Sequence, residues 1–384
     1  FRASTYQGKP VLTWWQGRRA EAFGGGVGIV ADSSYREIAT VTGGNGYPVD
    51  IHEFNLTPNG TALVLAYRAV RWDLRPLGSR VNKAAIDGIV MEIDVATGRV
   101  LFEWHSLGHI PLTESYRHPR ADRPVDYVHL NSVALDRDGN FLVSARNTST
   151  VYKIDRRTGN IIWRLGGKHS TFALPKYARF VGQHDFSRAP DGTYILFDNA
   201  NVTTPVKWVA RGLVFSIDAK GRTATLVRAF SQPQKKGSTT QGSIQPLADG
   251  HYVLGWGGGI PQVSEFSSGG TLLFDARLVG RAESYRAYRV EWTGRPVRPP
   301  DLAVATADGK PTAYMSWNGA TDVAEWRVLT GSSPDRLAVT TRVPWRGFET
   351  AVALPPSAGY VAVEALDDGG NALDRSKTVE IPKG

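Results

Sequence analysis

Short apolar and aromatic runs separated by Gly-rich turns recur along the chain, and no segment sustains an apolar period of 3.6 residues. Such runs read as β-strands and the chain as an all-β protein. One pattern recurs: a polar start, an apolar stretch, a turn ending in Gly, then a strand ending in polar or aromatic residues. It spans His52–Arg68 (HEFNLTPNGTALVLAYR), His129–Asn147, Gln183–Asn199 and Gly242–Gly258, with a shortened copy at Tyr6–Gly17. The turn glycines are Gly8, Gly60, Gly139, Gly192 and Gly250, separated by 52, 79, 53 and 58 residues. Asn-Gly and Asp-Gly steps in these turns are expected to supply the positive φ angles of tight hairpins.

A second hairpin pattern follows each first one, with a strand ending in Asp, a Gly turn and an apolar strand. It occupies Ile89–Trp104, Thr150–Leu165, Leu213–Phe230 and Val263–Leu278, with a degenerate copy at Val27–Val41. Two hairpins per unit make a four-stranded sheet, and radially repeated four-stranded sheets make a β-propeller. Five units are present, and Ser284–Trp292 (SYRAYRVEW) reads as a strand of a sixth. The expected fold class is therefore all-β: a six-bladed β-propeller over residues 1–297 with one incomplete or composite blade. The long gap implies an insertion, placed at Arg71–Ala84 and Leu107–Asp126, on loops that could cover a site. PVRPP at Pro296–Pro300 marks a linker. Beyond it, residues 298–384 carry about seven short strands of different texture, which suits a small fibronectin- or immunoglobulin-like β-sandwich with a structural or docking role.

The blade pattern predicts which polar residues converge, because first strands lie nearest the axis. Aligned on the turn glycine, His52, Asn131 and His184 each stand eight residues before it, and His129 stands two before Asn131, on the same side of a regular strand. On the returning strand, Arg68, Arg146, Asn147, Asp198, Asn199 and Trp256 stand six to eight residues after the glycine. Imidazoles facing a guanidinium can serve as nucleophile, general acid and general base, with arginine holding a tetrahedral oxyanion. The same three histidines could instead hold a metal ion. An arginine at the site and a scarcity of carboxylates speak against that, so no metal and no cofactor are expected. His105 and His109 are candidate lid residues.

Composition narrows the classes. Among 384 residues there are 11 Trp and 41 Gly, in keeping with short aromatic strands and glycine turns. There is no cysteine, which removes disulfides, thiolate metal sites and thiol nucleophiles. The net charge of +9 is scattered, without a basic block or a nucleic-acid-binding motif, so no nucleic-acid partner is expected. No apolar run is long enough for a transmembrane helix, so no integral membrane partner is expected either. The polar first ten residues are not a signal peptide, and a strand-like segment begins at once, as in a mature or truncated N-terminus. The oligomeric state is left open.

HLNS at His129–Ser132, LVSARN at Leu142–Asn147, WRLGGKHSTF at Trp163–Phe172, GQHD at Gly182–Asp185 and DGTYILFDN at Asp191–Asn199 resemble the arylsulfotransferase family. LTWWQG, NGYPVDIHEF and SYRAYR are similar to its shorter, actinobacterial-type branch. The resemblance covers about residues 1–297, with SWNGATDVAEWRVL extending it into the C-terminal segment. It implies an exported, extracytoplasmic six-bladed propeller that moves sulfate from an aryl sulfate to a phenol through a sulfated histidine, without a nucleotide donor. By motif, His184 is similar to the sulfate-accepting nucleophile, His129 and His52 to the acid/base and sulfate-binding histidines, and Arg146 to the sulfate-binding arginine. Asn131 and Gln183 are similar to their supporting partners, and they join Asn147, Arg68, Trp256 and Asn199 as candidate substrate-binding residues. Two alternatives stand beside sulfate transfer. The same His/Arg site could run another transfer, a hydrolysis or a natural-product tailoring step, or the chain could be a non-catalytic carbohydrate- or cell-wall-binding propeller.

Overall fold

A computed structural model of the chain describes residues 1–79, 83–120, 122–200, 209–260, 262–280, 282–307 and 309–382. The protein is nearly all-β. Each pair of hairpin patterns closes into one antiparallel four-stranded sheet, with its strands in chain order. The first sheet holds β1 (Arg2–Tyr6), β2 (Lys9–Ala20), β3 (Phe23–Ala31) and β4 (Glu37–Val41). The second holds β5 (Phe54–Leu56), β6 (Thr61–Trp72), β7 (Lys83–Asp94) and β8 (Val100–His105). The third holds β9 (Leu130–Leu135), β10 (Phe141–Ala145), β11 (Thr150–Ile154) and β12 (Ile161–Gly166). The fourth holds β13 (His184–Arg188), β14 (Tyr194–Asp198), β15 (Arg211–Asp218) and β16 (Thr223–Ser231). The fifth holds β17 (Ser243–Pro246), β18 (Tyr252–Gly255), β19 (Gln262–Phe266) and β20 (Leu272–Arg277).

The turn chemistry is the same in four of these sheets. Thr57, Asp136, Ala189 and Leu247 each donate N–H to the carbonyl of the residue four later, at 2.8 Å, and each accepts from the glycine three later, at 3.0–3.2 Å. This is a three-residue loop closed by a left-handed glycine. Only the glycine takes positive φ (75° at Gly60, 79° at Gly139, 96° at Gly192, 82° at Gly250), and the Asn or Asp before it does not. The Asn-Gly or Asp-Gly step therefore supplies positive φ in these loops through its glycine alone.

Ser284–Trp292 forms no strand. It runs beside β17 on side-chain bonds: Ser243 Oγ accepts from Ala287 N at 3.0 Å, and Gln245 Oε1 accepts from Arg289 N at 2.8 Å. Side chains take the place of a backbone ladder there, so the described residues contain five four-stranded sheets and no sixth. Part of the expected insertion, Arg71–Trp72 and Lys83–Ala84, extends the β6–β7 hairpin, with 80–82 and 121 outside the described residues.

Two compact units divide the chain. One comprises Phe1–Gly8, Thr13–Val30 and Ala39–Val290, and the other Lys9–Leu12, Ala31–Ile38 and Glu291–Gly384. Cores of the first unit fill the spaces between successive sheets. Leu63, Leu65 and Val90 of the second sheet share a cluster with Val133, Phe141, Val143 and Tyr152 of the third. Leu142 and Val151 of the third meet Phe186, Leu196 and Phe215 of the fourth. Strands buried on both faces need apolar residues in unbroken runs, which is why ALVLA at Ala62–Ala66 shows no alternation. The second unit holds a sheet of β21 (Asp301–Ala307), β22 (Lys310–Ser316) and β25 (Thr350–Ala353). Its other sheet is built from β23 (Glu325–Ser333), β24 (Arg336–Pro344), β26 (Tyr360–Leu366), β27 (Ala372–Arg375) and β28 (Val379–Glu380). Ala313 and Met315 of the first and Trp326, Val328 and Val363 of the second share one apolar cluster.

Candidate active site

His52, His129, His184 and Arg146, which are far apart in sequence, line one cavity of about 370 Å³ in the first unit. The imidazoles lie at its buried end: His52 is 6%, His129 7% and His184 1% exposed. Local backbone features aim two of them. His129 adopts φ 51°, and Asp185, next to His184, adopts φ 54° where the β13–β14 register shifts. Left-handed residues and bulges break strand alternation and redirect side chains. This corrects the expectation that His129 and Asn131 share a side. His129 faces the cavity, whereas Asn131 is fully buried and donates Nδ2–H to Gln183 O at 2.7 Å.

Each imidazole is tied through Nδ1 to a different partner. His52 pairs with Asp50 and His129 with Asp126 Oδ2 at 2.6 Å, whereas His184 meets the neutral Asn199 Oδ1 at 2.7 Å. Asn199 Nδ2 donates to Gln241 O at 2.8 Å and to Ser238 Oγ at 3.1 Å, which fixes the amide so that its oxygen faces the ring. Nδ1 of His184 therefore carries the proton, and Nε2, an acceptor from Gln241 N–H at 3.2 Å, holds the lone pair. Burial and then the Arg146 charge push the His184 imidazole well below the ordinary value of 6.5. Burial also lowers His52, against the pull of Asp50. Burial alone would raise the Asp126 carboxyl, but His129, His52 and Arg146 outweigh it and hold it below its ordinary range.

Arg146 Nη1 donates to Asn147 Oδ1 at 3.1 Å and Nη2 to Thr239 O at 3.2 Å. Its Nε–H is buried without a partner, as is the hydroxyl of Tyr285, another residue lining the cavity. Asp126 Oδ1 and Gln241 Oε1, which also line the cavity, are likewise buried without partners, so the cavity suits an occupant that brings anionic oxygens together with a donor, because leaving a buried polar group unpaired costs about 1–3 kcal/mol. His52 and His129 stand edge to face with ring centroids 4.8 Å apart, and Phe23 packs 5.6 Å from His129. The expected insertion reaches the site, with Arg117, His118, Arg120, Arg123 and Asp126 all lining the cavity.

Apart from Asn147, the other sequence-derived candidates fall elsewhere. Asn147 lines the cavity and ties the insertion down, accepting from Arg117 Nε at 3.0 Å and donating to Asp126 O at 2.7 Å. Gln183 is fully buried and donates to Ser144 Oγ, Ala145 O and Thr150 O, so it braces the third sheet behind His184. Asn199 supports His184 from outside the cavity lining. Trp256 is buried in the fourth–fifth sheet core with its indole N–H on Ser264 Oγ at 2.7 Å. Arg68 does not line the cavity, and its Nη1 lies 3.5 Å from the Tyr47 hydroxyl. The returning strands bury or turn outward at those positions, so equal spacing from the glycine did not put these side chains in the cavity. His105 is held by Asp87 and Glu103 and does not line the cavity either.

Below the histidines lies a buried ion network. Arg286 Nη1 meets Glu53 Oε1 at 2.9 Å, Nη2 donates to His52 O and Asn131 O at 3.3 and 3.1 Å, and Nε stands 3.5 Å from Asp185 Oδ1. Glu53, Asp185 and Arg286 directly follow His52, His184 and Tyr285, so these three cavity residues each have a chain neighbour in the network.

The arylsulfotransferase (ASST) family profile matches residues 2–278. The chain belongs to the arylsulfotransferase family. Membership supports a sulfotransferase-like enzyme acting on a small molecule. No curated protein matches this arylsulfotransferase-family chain. Solved structures similar to it include a protein of unknown function from Bacteroides caccae, with 15% identity over 77% of this chain and 86% of that one (TM-score 0.32). A protein from Lactobacillus plantarum is 11% identical over 97% and 96% (TM-score 0.39). A catalytically inactive virginiamycin B lyase from Staphylococcus aureus, solved with quinupristin, is 9% identical over 81% and 97% (TM-score 0.37). No helix among the described residues is long and apolar enough to cross a membrane. The family match includes every cavity residue before position 279, but not Tyr285.

Proposed function

We propose that this arylsulfotransferase-family protein transfers sulfate from an aryl sulfate to a phenol by two displacements, with His184 as the carrier. The observation that carries this reading is the Nε2 lone pair of His184. The neutral Asn199 oxygen keeps the proton on Nδ1, and burial with Arg146 keeps the ring unprotonated, in a cavity shared with the His129–Asp126 pair. In the first displacement Nε2 attacks sulfur, the S–O(aryl) bond breaks, and the phenolate leaves with a proton from protonated His129. Nδ1–H stays on Asn199, so the sulfated ring is a neutral sulfoimidazolium. In the second, His129 takes the proton of the incoming phenol, the phenolate oxygen attacks sulfur, and the N–S bond breaks. Arg146, His52 and the Tyr285 hydroxyl are placed to bind the sulfuryl oxygens, where developing charge is best stabilised in a site that excludes water. Gln241 N–H must release Nε2 as sulfur approaches. A propeller built on the five four-stranded sheets, a sandwich appendage with its boundary near residue 297, and an extracytoplasmic location go with this reading.

The test is incubation with 4-nitrophenyl sulfate, with and without phenol. Released nitrophenol, a mass gain of one SO₃ on the His184 peptide, and its discharge by phenol are the expected results. No mass gain on His184 together with no nitrophenol would overturn the assignment.

A further inference from the structure

A single sulfuryl group engages the buried end of the cavity, where the histidines and Arg146 sit. The exposed end carries four more arginines, Arg19, Arg117, Arg120 and Arg123. Three of them face acids: Arg19 stands 3.7 Å from Glu283, and Arg120 and Arg123 stand 3.5 and 3.1 Å from Asp122. Arg117 differs. Its Nε donates to Asn147 Oδ1 at 3.0 Å, the same oxygen that accepts Arg146 Nη1 at 3.1 Å. An amide oxygen is neutral, so two guanidiniums share an acceptor that cancels neither charge. Among the described residues Arg117 has no carboxylate partner, and its two terminal nitrogens have no acceptor. Among the described residues lining the cavity Asp126 is the one acid, and His129 holds it.

The open edge of a guanidinium pairs bidentately with a planar carboxylate. A cavity of about 370 Å³ falls within the roughly 300–1,000 Å³ of pockets that take drug-sized ligands, so there is room for a substituent beyond the ring that bears the sulfate. Building on the sulfate-transfer reading, we propose that the aromatic substrate of this site carries a ring carboxylate as a second anionic group, and that Arg117 recognises it.

Two measurements test this, one of which needs no turnover. In the first, kcat/KM is compared for 4-nitrophenyl sulfate and its ring-carboxylated analogue. The wild type is expected to favour the carboxylated donor about tenfold, a preference that shrinks with added salt because the exposed end of the site is screened. Arg117→Gln should bring the ratio close to one, whereas Arg120→Gln, whose arginine already faces Asp122, should keep it. In the second, calorimetric titration with 4-hydroxybenzoate and with phenol should show tighter binding of the carboxylate, lost in Arg117→Gln. If Arg117→Gln weakens both donors equally, or if neither assay shows a preference, the proposal is overturned. If binding shows the preference while no sulfate moves, the proposal stands and the sulfate reading falls.

Discussion

Asn199 Oδ1 lies 2.7 Å from Nδ1 of His184, and the amide is locked from behind by Gln241 O and Ser238 Oγ. A neutral acceptor at this place fixes the tautomer without attracting a second proton. Asn199→Ala frees the ring to rotate and leaves Nδ1–H unsatisfied, which costs about 1–3 kcal/mol in a buried site. The expected kinetic result is a fall in kcat of about 10–100-fold with a small change in KM, read with 4-nitrophenyl sulfate. Asn199→Asp should instead pull a proton onto the ring and shift the acid limb of the rate profile to higher pH.

Burial holds His184 and His52 below the ordinary imidazole value of 6.5 in the folded protein. Above about pH 7 neither folded nor unfolded imidazole holds the extra proton. Below that, the unfolded chain binds protons that the folded site excludes, so stability falls as pH falls. His184→Gln removes one such group and is expected to lose less stability between about pH 7.5 and 5.5. Melting temperatures of the two proteins across that range check this. Other titrating groups are common to both, so they largely cancel in the difference.

Asp126 orients His129 through a 2.6 Å contact and is held ionised by the cations around it. Asp126→Asn keeps the shape but removes the charge that supports a protonated imidazole. A positioned acid or base contributes about 10²–10⁴-fold, and the loss in kcat for donors with poor leaving groups should lie in that range. Activated nitrophenyl donors, which need less protonation on departure, should lose less. Equal losses for both would argue against His129 as the proton donor.

Arg146 presents a fork whose Nε–H has no protein partner. Lysine carries the charge but not the fork, so Arg146→Lys is expected to lower kcat/KM by about 10²–10³-fold, as for the loss of an oxyanion donor. Recovery of most of that activity with added guanidinium would support a direct role in binding the anion.

Arg286 holds Glu53, Asp185 and the carbonyls of His52 and Asn131 together. Arg286→Met takes the nearest cation from buried Glu53 and Asp185 and leaves Glu53 only the longer 3.5 Å contact with Arg2, a change worth up to about 3–5 kcal/mol. Denaturant unfolding should report that loss. The double variant with Glu53→Gln should recover part of it, because the stranded charge is then gone.

Much of the architecture was legible along the chain. Ten hairpin patterns became five four-stranded sheets because short apolar runs and glycine turns are local properties, set by strand propensity and backbone sterics. Ser284–Trp292 was misread as a strand because its apolar and aromatic pattern cannot show that Ser243 and Gln245 bond it through side chains. That His52, His129, His184 and Arg146 line one cavity was legible from their registration to the turn glycines together with the family motifs. Tyr285, Arg117 and Asp126 were not, since they lie outside the repeat and reach the cavity on connecting segments.

The order of residues by itself determined the strands, the turns, the unit length and the presence of histidines at matched places, all of which depend on neighbours a few positions away. Tertiary structure alone decided which of those polar residues share a space. Left-handed backbone at His129 and Asp185 overrode alternation, turning His129 in and leaving Asn131 behind. Packing between sheets took Trp256 into the core, although it stood at nearly the same spacing as Arg146. Partners distant in the chain, such as Asn199 for His184 and Arg286 for Glu53, set proton positions and charges, and those depend on burial and distance in three dimensions.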